Sequence, residues 1–528
     1  MSATHLDIPM AESSSIPPVP QARRKPIVLN GNIGRVIQAR RKPIVLNANI
    51  GRVITRPYIP PSEKRIRNII NRVLALDENE VGRLLETVMY DFSPRHRYFR
   101  EVLERNFNRV VCHVPDGSKL TEQRQLLIGS YFTAEYSVEA AALFNPSIVR
   151  ITSLKTDPKG ACRFIMSFRA IGEGHISSIE FRGGIIDKNN DLYFDAQSSY
   201  VRTPRIHTDS SYSRELFHLK LKDMGASNKV INWLLSDLAD KFTFTALQEK
   251  IEEHHNGNRI RASDKKDVIE KAMWLAHSNY EILFRPDHQI SERVLFPRSE
   301  SESAGIEDAR FVRFVEDDGT IIYYATYTAY NGQTILPQLV ETTDFLLFKI
   351  STLNGIQAQG KGMALFPRKI KGKYVSLSRQ DGENNAIMFS DNIHFWKQVQ
   401  ILQKPMFPYE FFQMGNGGSP IETAEGWLVI THGVGPMRTY SLGIELLDLD
   451  DPARVISRIN EPILVPNEHD RDGYVPNVVY SCGAMIFQDE LIIPYASADQ
   501  RCGIATLNLS DLMARLRYNK TAYGDLPR

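Results

Sequence analysis

From about residue 144 onward the chain repeats one phrase. A small loop leads into a strand, a turn follows, and a second strand ends in a polar side chain. The second strands are RFIMSFR ending at Arg169, IIYYATYTAY around Tyr327 and Thr328, KYVSLSR ending at Arg379, WLVITH ending at His432 and LIIPYASAD ending at Asp499. The leading loops recur as well: FNPS at 144–147, GIED at 305–308, LFPR at 365–368, GGSP at 417–420 and SCGA at 481–484. Steps from Tyr327 to Arg379, His432 and Asp499 are 52, 53 and 67 residues. A strand-built unit of about 50 residues has the spacing of propeller blades. The pattern predicts a mainly β chain, with a five-bladed β-propeller over residues 143–528. Innermost strands of such a ring face its axis, so the five polar ends are expected to meet in one concave polar site.

One interruption, at about 205–285, is helical in period throughout and is expected as a helical insertion. His254 and His255 fall at a helix end there and read as surface residues, not ligands. Upstream, residues 61–142 read as an N-terminal α-helical extension. RIRNIINRVLAL and VGRLLETVMYDF have three- and four-residue apolar spacing, Asp77 with Glu80 forms a capping box, and a further helix is expected through EQRQLLIGSYFTAEYSVEAAAL. Residues 1–60 are expected as a flexible tail. Within it QARRKPIVLNGNIGRVI (21–37) is followed at once by QARRKPIVLNANIGRVI (38–54), which differs only in Ala48 for Gly31. Two units do not make a solenoid; one copy is expected to dock and the other to be spare.

Composition excludes several classes. Lys plus Arg number 64 and Asp plus Glu 62 in 528 residues, a net charge of +2. That balance provides no field for nucleic acid or anionic membrane. No apolar run reaches the ~18 residues of a membrane-spanning helix. The start of the chain lacks a signal-peptide pattern, so a cytoplasmic protein is expected. Cys112, Cys162, Cys482 and Cys502 are scattered and form no CxxC pair, which predicts free buried thiols. With no HExxH motif or Cys/His cluster, no metal is expected.

An acid among cations suits an anionic substrate or co-substrate. Asp308 enters a blade in GIEDAR, and Glu307 is expected to point away from it along an extended strand. Lys361, Arg379 and His432 form a candidate oxyanion clamp, because Arg can hold phosphate through two parallel hydrogen bonds. Glycoside cleavage needs an acid for the leaving oxygen and a nucleophile at the anomeric carbon. If phosphate is that nucleophile, cations replace the second catalytic carboxylate.

The phrases FNPSIV, GIEDARFVRF, YYATYTAYNG, ALFPRKIKGKYVSLSR, GNGGSPIETAEGWLVITHGV, YSLGIELLDLDDPARVI, EPILVP, DGYVPNVVYSCGA and YASADQRCGIATL come in an order that resembles glycoside hydrolase family 130, the mannoside phosphorylases and β-mannosidases. The resemblance covers about 144–515 apart from the insert. It implies a five-bladed propeller and an inverting mechanism on β-mannosides. It further implies that Asp308 is the catalytic acid, acting through a sugar hydroxyl; that Asn145 and Arg169 hold the mannosyl unit; that Asp499 binds a sugar hydroxyl; that Lys361, Arg379 and His432 bind phosphate; and that Tyr440 lines the sugar site. No cofactor is implied beyond inorganic phosphate as co-substrate. Three positions depart from the family pattern: Ala309 stands for Pro, Lys361 for Arg, and Gln413 for a phosphate-binding Lys. Lys404 and Arg438 lie nearby as further cations.

Three readings follow. The first is an inverting phosphorylase that takes a β-mannoside oligosaccharide and inorganic phosphate to α-mannose 1-phosphate. The second is an inverting β-mannosidase, with Glu410 or Asp472 as base at roughly 6.5–9.5 Å from the acid, favoured by the missing Lys at 413. The third is a non-catalytic carbohydrate-binding propeller. In each, the helical parts are places for homo-oligomer contacts or for narrowing the acceptor side.

Overall fold

The computed structural model describes residues 37–206, 211–253 and 262–523. Residues 1–36, with nearly all of the first repeat copy, and His254 and His255 lie outside the described residues.

The architecture is mainly β, and its long strands form antiparallel meanders. The first comprises Ala142–Arg150, Cys162–Ile171 and Ser177–Ile186, with the short strand Val294–Leu295 on its outer side. The second runs through Gly305–Val315, Ile321–Tyr330, Ile335–Thr342 and Leu347–Thr352. The third holds Lys361–Leu365, Tyr374–Arg379, Asn385–Ser390 and Gln398–Gln403. The fourth holds Gln413–Asn416, Gly426–Val434, Tyr440–Leu447 and Val455–Arg458. The fifth is built on Val479–Tyr480, Glu490–Ser497 and Arg501–Asn508. Buried apolar side chains, among them Val429, Leu446, Ile493 and Ala505, fill the space between meanders.

Among the described residues no sheet closes on itself, yet innermost segments of successive meanders touch in cyclic order. Ser147 Oγ accepts from the Phe311 amide at 3.0 Å. Thr326 Oγ1 donates to the Met363 carbonyl. Asn416 Nδ2 donates to the Gly362 carbonyl at 2.9 Å. Gly418 lies so close to Gly483 that a Cβ at 418 would come within 2.4 Å of the Gly483 Cα. The Cys482 amide donates to the Pro146 carbonyl at 3.0 Å, which returns to the first meander.

The inner strands share a further device. Pairing shifts between Phe144 and Ser147, between Glu307 and Arg310, and between Lys361 and Ala364. Each shift contains a left-handed residue: Asn145 at φ 50°, Asp308 at φ 54° and Gly362 at φ 82°. These are β-bulges, which re-aim side chains where a straight strand would alternate them.

Two expectations for the N-terminal region need correction. Residues 40–57 are not a tail: Arg40–Leu46 is a strand paired antiparallel on Arg501–Asn508, so it forms the outer strand of the fifth meander. Pro43, which cannot donate to a ladder, sits in its irregular stretch. Arg41 Nη2 is 2.7 Å from Asp470, and Ile44 and Leu46 pack on the apolar core. Behind the strand Arg52, 1% exposed, meets Glu139 at 2.7 Å and Glu180 at 2.5 Å. Burial and the neighbouring Glu180 push Glu139 up to about 9, so this site keeps one proton between two carboxylates.

The second correction concerns the last expected helix, which ends at Tyr131. Thr133–Ser137 is instead a strand paired on Val53–Pro57. Its β-branched and aromatic residues favour a pleated surface once a partner strand is present. Helices occupy Glu63–Leu74, Glu78–Phe92 with the Asp77/Glu80 capping box, Phe99–Asn108 and Glu122–Tyr131. In the insert they occupy Arg214–Asp223, Asn228–Leu235, Phe244–Glu253 and Ala262–Ser278 around Leu221, Leu234, Leu247 and Leu275. The four cysteines are free; three are buried, but Cys112 is exposed.

Deleting residues 38–54 would join the first copy to Thr55 and alter the docked sequence only by Gly for Ala48. Its unfolding free energy is expected to match that of a 21–37 deletion to within about 1 kcal/mol, as read by denaturant melts. Arg52→Ala takes the bridging cation from the buried Glu139–Glu180 pair and is expected to cost about 3–5 kcal/mol in chemical denaturation.

Candidate active site

All eight residues singled out from the sequence come together at the inner ends of the meanders. The bulge at Asp308 explains the central arrangement. Left-handed backbone breaks the strand alternation, so Glu307 does not point away as expected. Both carboxylates reach one guanidinium: Arg169 Nη2 lies 2.7 Å from Glu307 and Nη1 lies 3.5 Å from Asp308. Asn145, also left-handed, donates from Nδ2 to Asp308 Oδ1 at 2.6 Å. Its buried Oδ1 has no protein partner and is available to a ligand hydroxyl. Phe144 supports the Arg169 guanidinium at 5.1 Å from the ring centre.

On the other side, Lys361 Nζ is 2.8 Å from Glu307, so Glu307 bridges two cations. Arg379, directly opposite Lys361 in the strand register, places Nη1 3.2 Å from His432 Nε2. A Cβ on Gly415 would meet the His432 ring at 2.8 Å and Arg379 Cδ at 3.4 Å, so the absence of a side chain there permits this approach. With its oxygen turned toward Arg379, the Gln413 amide accepts from Nη1 at 2.9 Å and donates to the Gly382 carbonyl at 3.2 Å. Gln413 therefore holds the guanidinium where a lysine would have added charge.

His432 is 2% exposed, and its Nδ1 lies 3.1 Å from the Asn416 carbonyl. Burial, then Arg379 and Arg310, push its proton affinity well below the usual histidine range. The ring is accordingly neutral, with Nδ1–H donating to Asn416 and Nε2 accepting from Arg379. It serves the clamp as a neutral partner of Arg379 and not as a third cation. Tyr440 stacks on it at 6.1 Å between ring centres, and Tyr480 meets it edge-on at 4.9 Å.

Sequence reasoning missed Arg310, although it lies in the quoted GIEDAR phrase. It is 3% exposed and spans the hub: Nε donates to the Gly417 carbonyl at 2.7 Å, Nη2 to the Tyr480 hydroxyl at 2.8 Å, and Nη1 to the Asp308 carbonyl at 2.9 Å. It fixes the backbone of the bulge while adding positive charge beneath the carboxylate.

The hub carboxyls split in acidity. Burial raises the proton affinity of Asp308, but Arg169, Arg310, the Asn145 bond and Lys361 outweigh it and hold the group below its ordinary range. Asp499, left-handed at φ 49° in the turn after Glu490–Ser497, is pushed up to about 7 by burial and by the charge of Asp308. Below about pH 7 the hub thus sets four cations (Arg169, Arg310, Lys361 and Arg379) against the carboxylates of Glu307 and Asp308. Two positive charges are in excess, which suits a dianion.

Glu410 is corrected as a candidate base. It is fully buried, pairs with Arg458 at 2.5 Å and accepts from the Met406 and Phe407 amides. Buried and held in this ion pair, it is closed off from a water nucleophile. Asp472 is exposed on a loop whose Gly473 packs on Ala498, beside Asp499. Lys404 and Arg438 are both exposed; of the two, Arg438 acts on Asp499 and lowers its proton affinity.

The mainly β scaffold carries an acid facing a cationic cradle, and comparison with known proteins gives the family. The family model described as beta-1,4-mannooligosaccharide phosphorylase matches residues 262–518. The 1,2-beta-oligomannan phosphorylase of Thermoanaerobacter sp. (strain X514) is 35% identical over 235 residues, 42% of this chain and 75% of the relative. The beta-1,2-mannobiose phosphorylase of the same organism is 35% identical over 271 residues, 48% of this chain and 87% of the relative. Among solved structures, the beta-1,2-mannobiose phosphorylase of Listeria innocua bound to beta-1,2-mannobiose aligns with 72% of this chain and 93% of its own, at 21% identity and a TM-score of 0.43. The chain belongs to glycoside hydrolase family 130.

Asp499 is raised by burial first and by the Asp308 charge second, and Asp308→Asn removes only the second. The Asp499 carboxyl is expected to titrate lower in that variant than in the native protein, as read by carbon-13 NMR of labelled aspartate; an unchanged value would separate the two groups.

Proposed function

We propose that this chain is an inverting phosphorylase that cleaves β-mannosides with inorganic phosphate and releases α-mannose 1-phosphate. The excess of two positive charges over the whole hub, which Asp308 shares with Lys361 and Arg379, carries this reading. A phosphate dianion held there attacks the anomeric carbon from the face away from the leaving oxygen. As the glycosidic C–O bond breaks, its electron pair takes a proton from a mannosyl hydroxyl, which is replenished by Asp308. Asn145 and Arg169 hold that sugar, and Asp499 and Tyr440 line its far side. The surrounding cations leave Asp308 ionised in the free enzyme. Arrival of the phosphate dianion adds negative charge beside it and raises its proton affinity, so nucleophile binding loads the acid.

The scaffold for this chemistry is a five-bladed β-propeller, a reading supported by the cyclic contacts of the five meanders. Its last blade is finished by Arg40–Leu46. We assign residues 61–142 to a helical extension and 143–528 to the catalytic unit with its insert. Three buried free thiols accord with a reducing cytoplasmic setting. No helix of the described residues is long and apolar enough to cross a membrane. The hydrolase reading keeps one supporting observation, the neutral Gln413 in place of a cation, with Asp472 as its remaining base.

Incubation of β-mannobioses with phosphate is expected to release mannose 1-phosphate and, without phosphate, to release nothing; phosphate-independent mannose would establish the hydrolase. Asp308→Asn is expected to lower kcat by about 10²–10⁴-fold while mannoside binding survives. Arg379→Ala is expected to raise the KM for phosphate about 10- to 100-fold with far less effect on the sugar.

Deprotonation of Asp499 above about pH 7 adds negative charge to the hub. The KM for phosphate is therefore expected to rise with pH more steeply in the native enzyme than in Asp499→Asn. Parallel curves would remove Asp499 from the phosphate field.

A further inference from the structure

Arginines gather a second time, far from the inner strands. A cavity of about 570 Å³ lies between the helix Phe99–Asn108, the strand Val53–Pro57 and the outer edges of the first two meanders. Six arginines line it (Arg56, Arg105, Arg109, Arg202, Arg285 and Arg298) against one acid, Glu101. The wall strands place it at the rim. Val294–Leu295, next to the lining residue Phe296, pairs on the outer strand of the first meander, and Tyr280–Leu283 pairs on Leu347–Ile350, the last strand of the second. None of the eight hub residues lines this cavity.

The guanidinium groups are held by rings. Arg202 and Arg285 lie over Tyr98, at 5.0 and 4.6 Å from its centre. Tyr98 is itself held left-handed at φ 56°, and its hydroxyl donates to Asp287 at 2.7 Å. A bulky residue rarely adopts that backbone, and here it sets one ring against two arginines. Arg56 lies 5.0 Å from the centre of Tyr136 and 5.2 Å from that of Phe296. A stacked guanidinium keeps its N–H edge for an anion. On Arg202 the Nε and Nη2 atoms are shut off from solvent and meet no acceptor in the protein. His288, another lining residue, is buried with both ring nitrogens unpartnered.

Nearby acids do not cancel this charge. Asp287 takes the Nε of Arg285 at 3.2 Å and leaves the rest of that fork. Glu292, which attracts Arg202, is fully buried; its Oε1 accepts from Arg97 at 2.9 Å and Ser198 at 3.0 Å, and its Oε2 meets no donor, Arg202 included. The volume falls within the range of about 300–1,000 Å³ of small-molecule sites and is too small for a macromolecule.

We propose that this rim cavity is a second anion site that takes a small organic phosphate with at least two negative charges, of the size of a nucleoside diphosphate or a hexose bisphosphate, through Arg56, Arg202 and Arg285. Arg56 comes from the strand Val53–Pro57, and Arg202 and Arg285 from segments beside the outer strands, so the ligand bridges these parts away from the hub, as an effector and not a reactant. The site stands on its own geometry, whether the hub phosphorolyses or hydrolyses.

ADP and glucose 1,6-bisphosphate, each added to the full-length protein up to about 5 mM, distinguish a nucleotide source from a sugar phosphate. At least one is expected to raise the melting temperature by about 1–3 °C and to titrate to one site by calorimetry. Arg202→Gln is expected to weaken binding about tenfold or more, and so is Arg56→Gln, whose exposed side chain can change without unfolding the protein. Arg379→Ala is expected to leave binding intact. Absence of a shift with both probes overturns the site. So does binding that survives Arg56→Gln and disappears in Arg379→Ala.

Discussion

Arg310 is the contact on which the hub depends. A straight strand would send Glu307 and Asp308 to opposite faces. The left-handed bulge brings them to one side, and the Arg310 guanidinium holds the bulge by its carbonyl while reaching the fourth and fifth meanders. A buried arginine on two carbonyls and a phenol needs no carboxylate to satisfy its donors, so its charge is left to act on Asp308 and on whatever anion enters. One side chain thus fixes geometry and field together.

The same economy governs protonation. Two carboxyls near each other in a partly dry site do not both ionise easily. Arg169 and Arg310 stabilise the Asp308 charge, which leaves Asp499 as the group that keeps a proton near neutrality. Neutral His432 and Gln413 then act by holding Arg379 and not by adding charge. Lysine and arginine counts alone would overstate the clamp and understate its rigidity.

At the periphery two segments remote in the chain are joined. The second copy of the duplicated segment lies on Arg501–Asn508, and Arg52 from its tail is buried between Glu139 and Glu180. A segment that reads as basic and solvated is held by a partner strand some 460 residues further on. The strand Thr133–Ser137 is a similar case: its own residues suit either state, and Val53–Pro57 makes it a strand. Both expectations missed because the deciding hydrogen-bond partner is remote in the chain, and local propensity is a weak prior against it.

Much was legible before any coordinates. The 52- and 53-residue steps, the capping box at Asp77 and the helical insert follow from local pattern, because side-chain periodicity and turn chemistry act within a few residues. Four of the five polar strand ends, Arg169, Arg379, His432 and Asp499, converge as the repeat requires, whereas Tyr327 of the second meander turns to Glu302 and Gln338 instead. Folding alone set the rest: which way Glu307 turns, which ring nitrogen of His432 carries hydrogen, which acid keeps its proton, and that Arg310 crosses the hub. Those outcomes depend on distances between groups on different strands and on how much water reaches them. Charge and burial act through space, and a linear chain does not record that space.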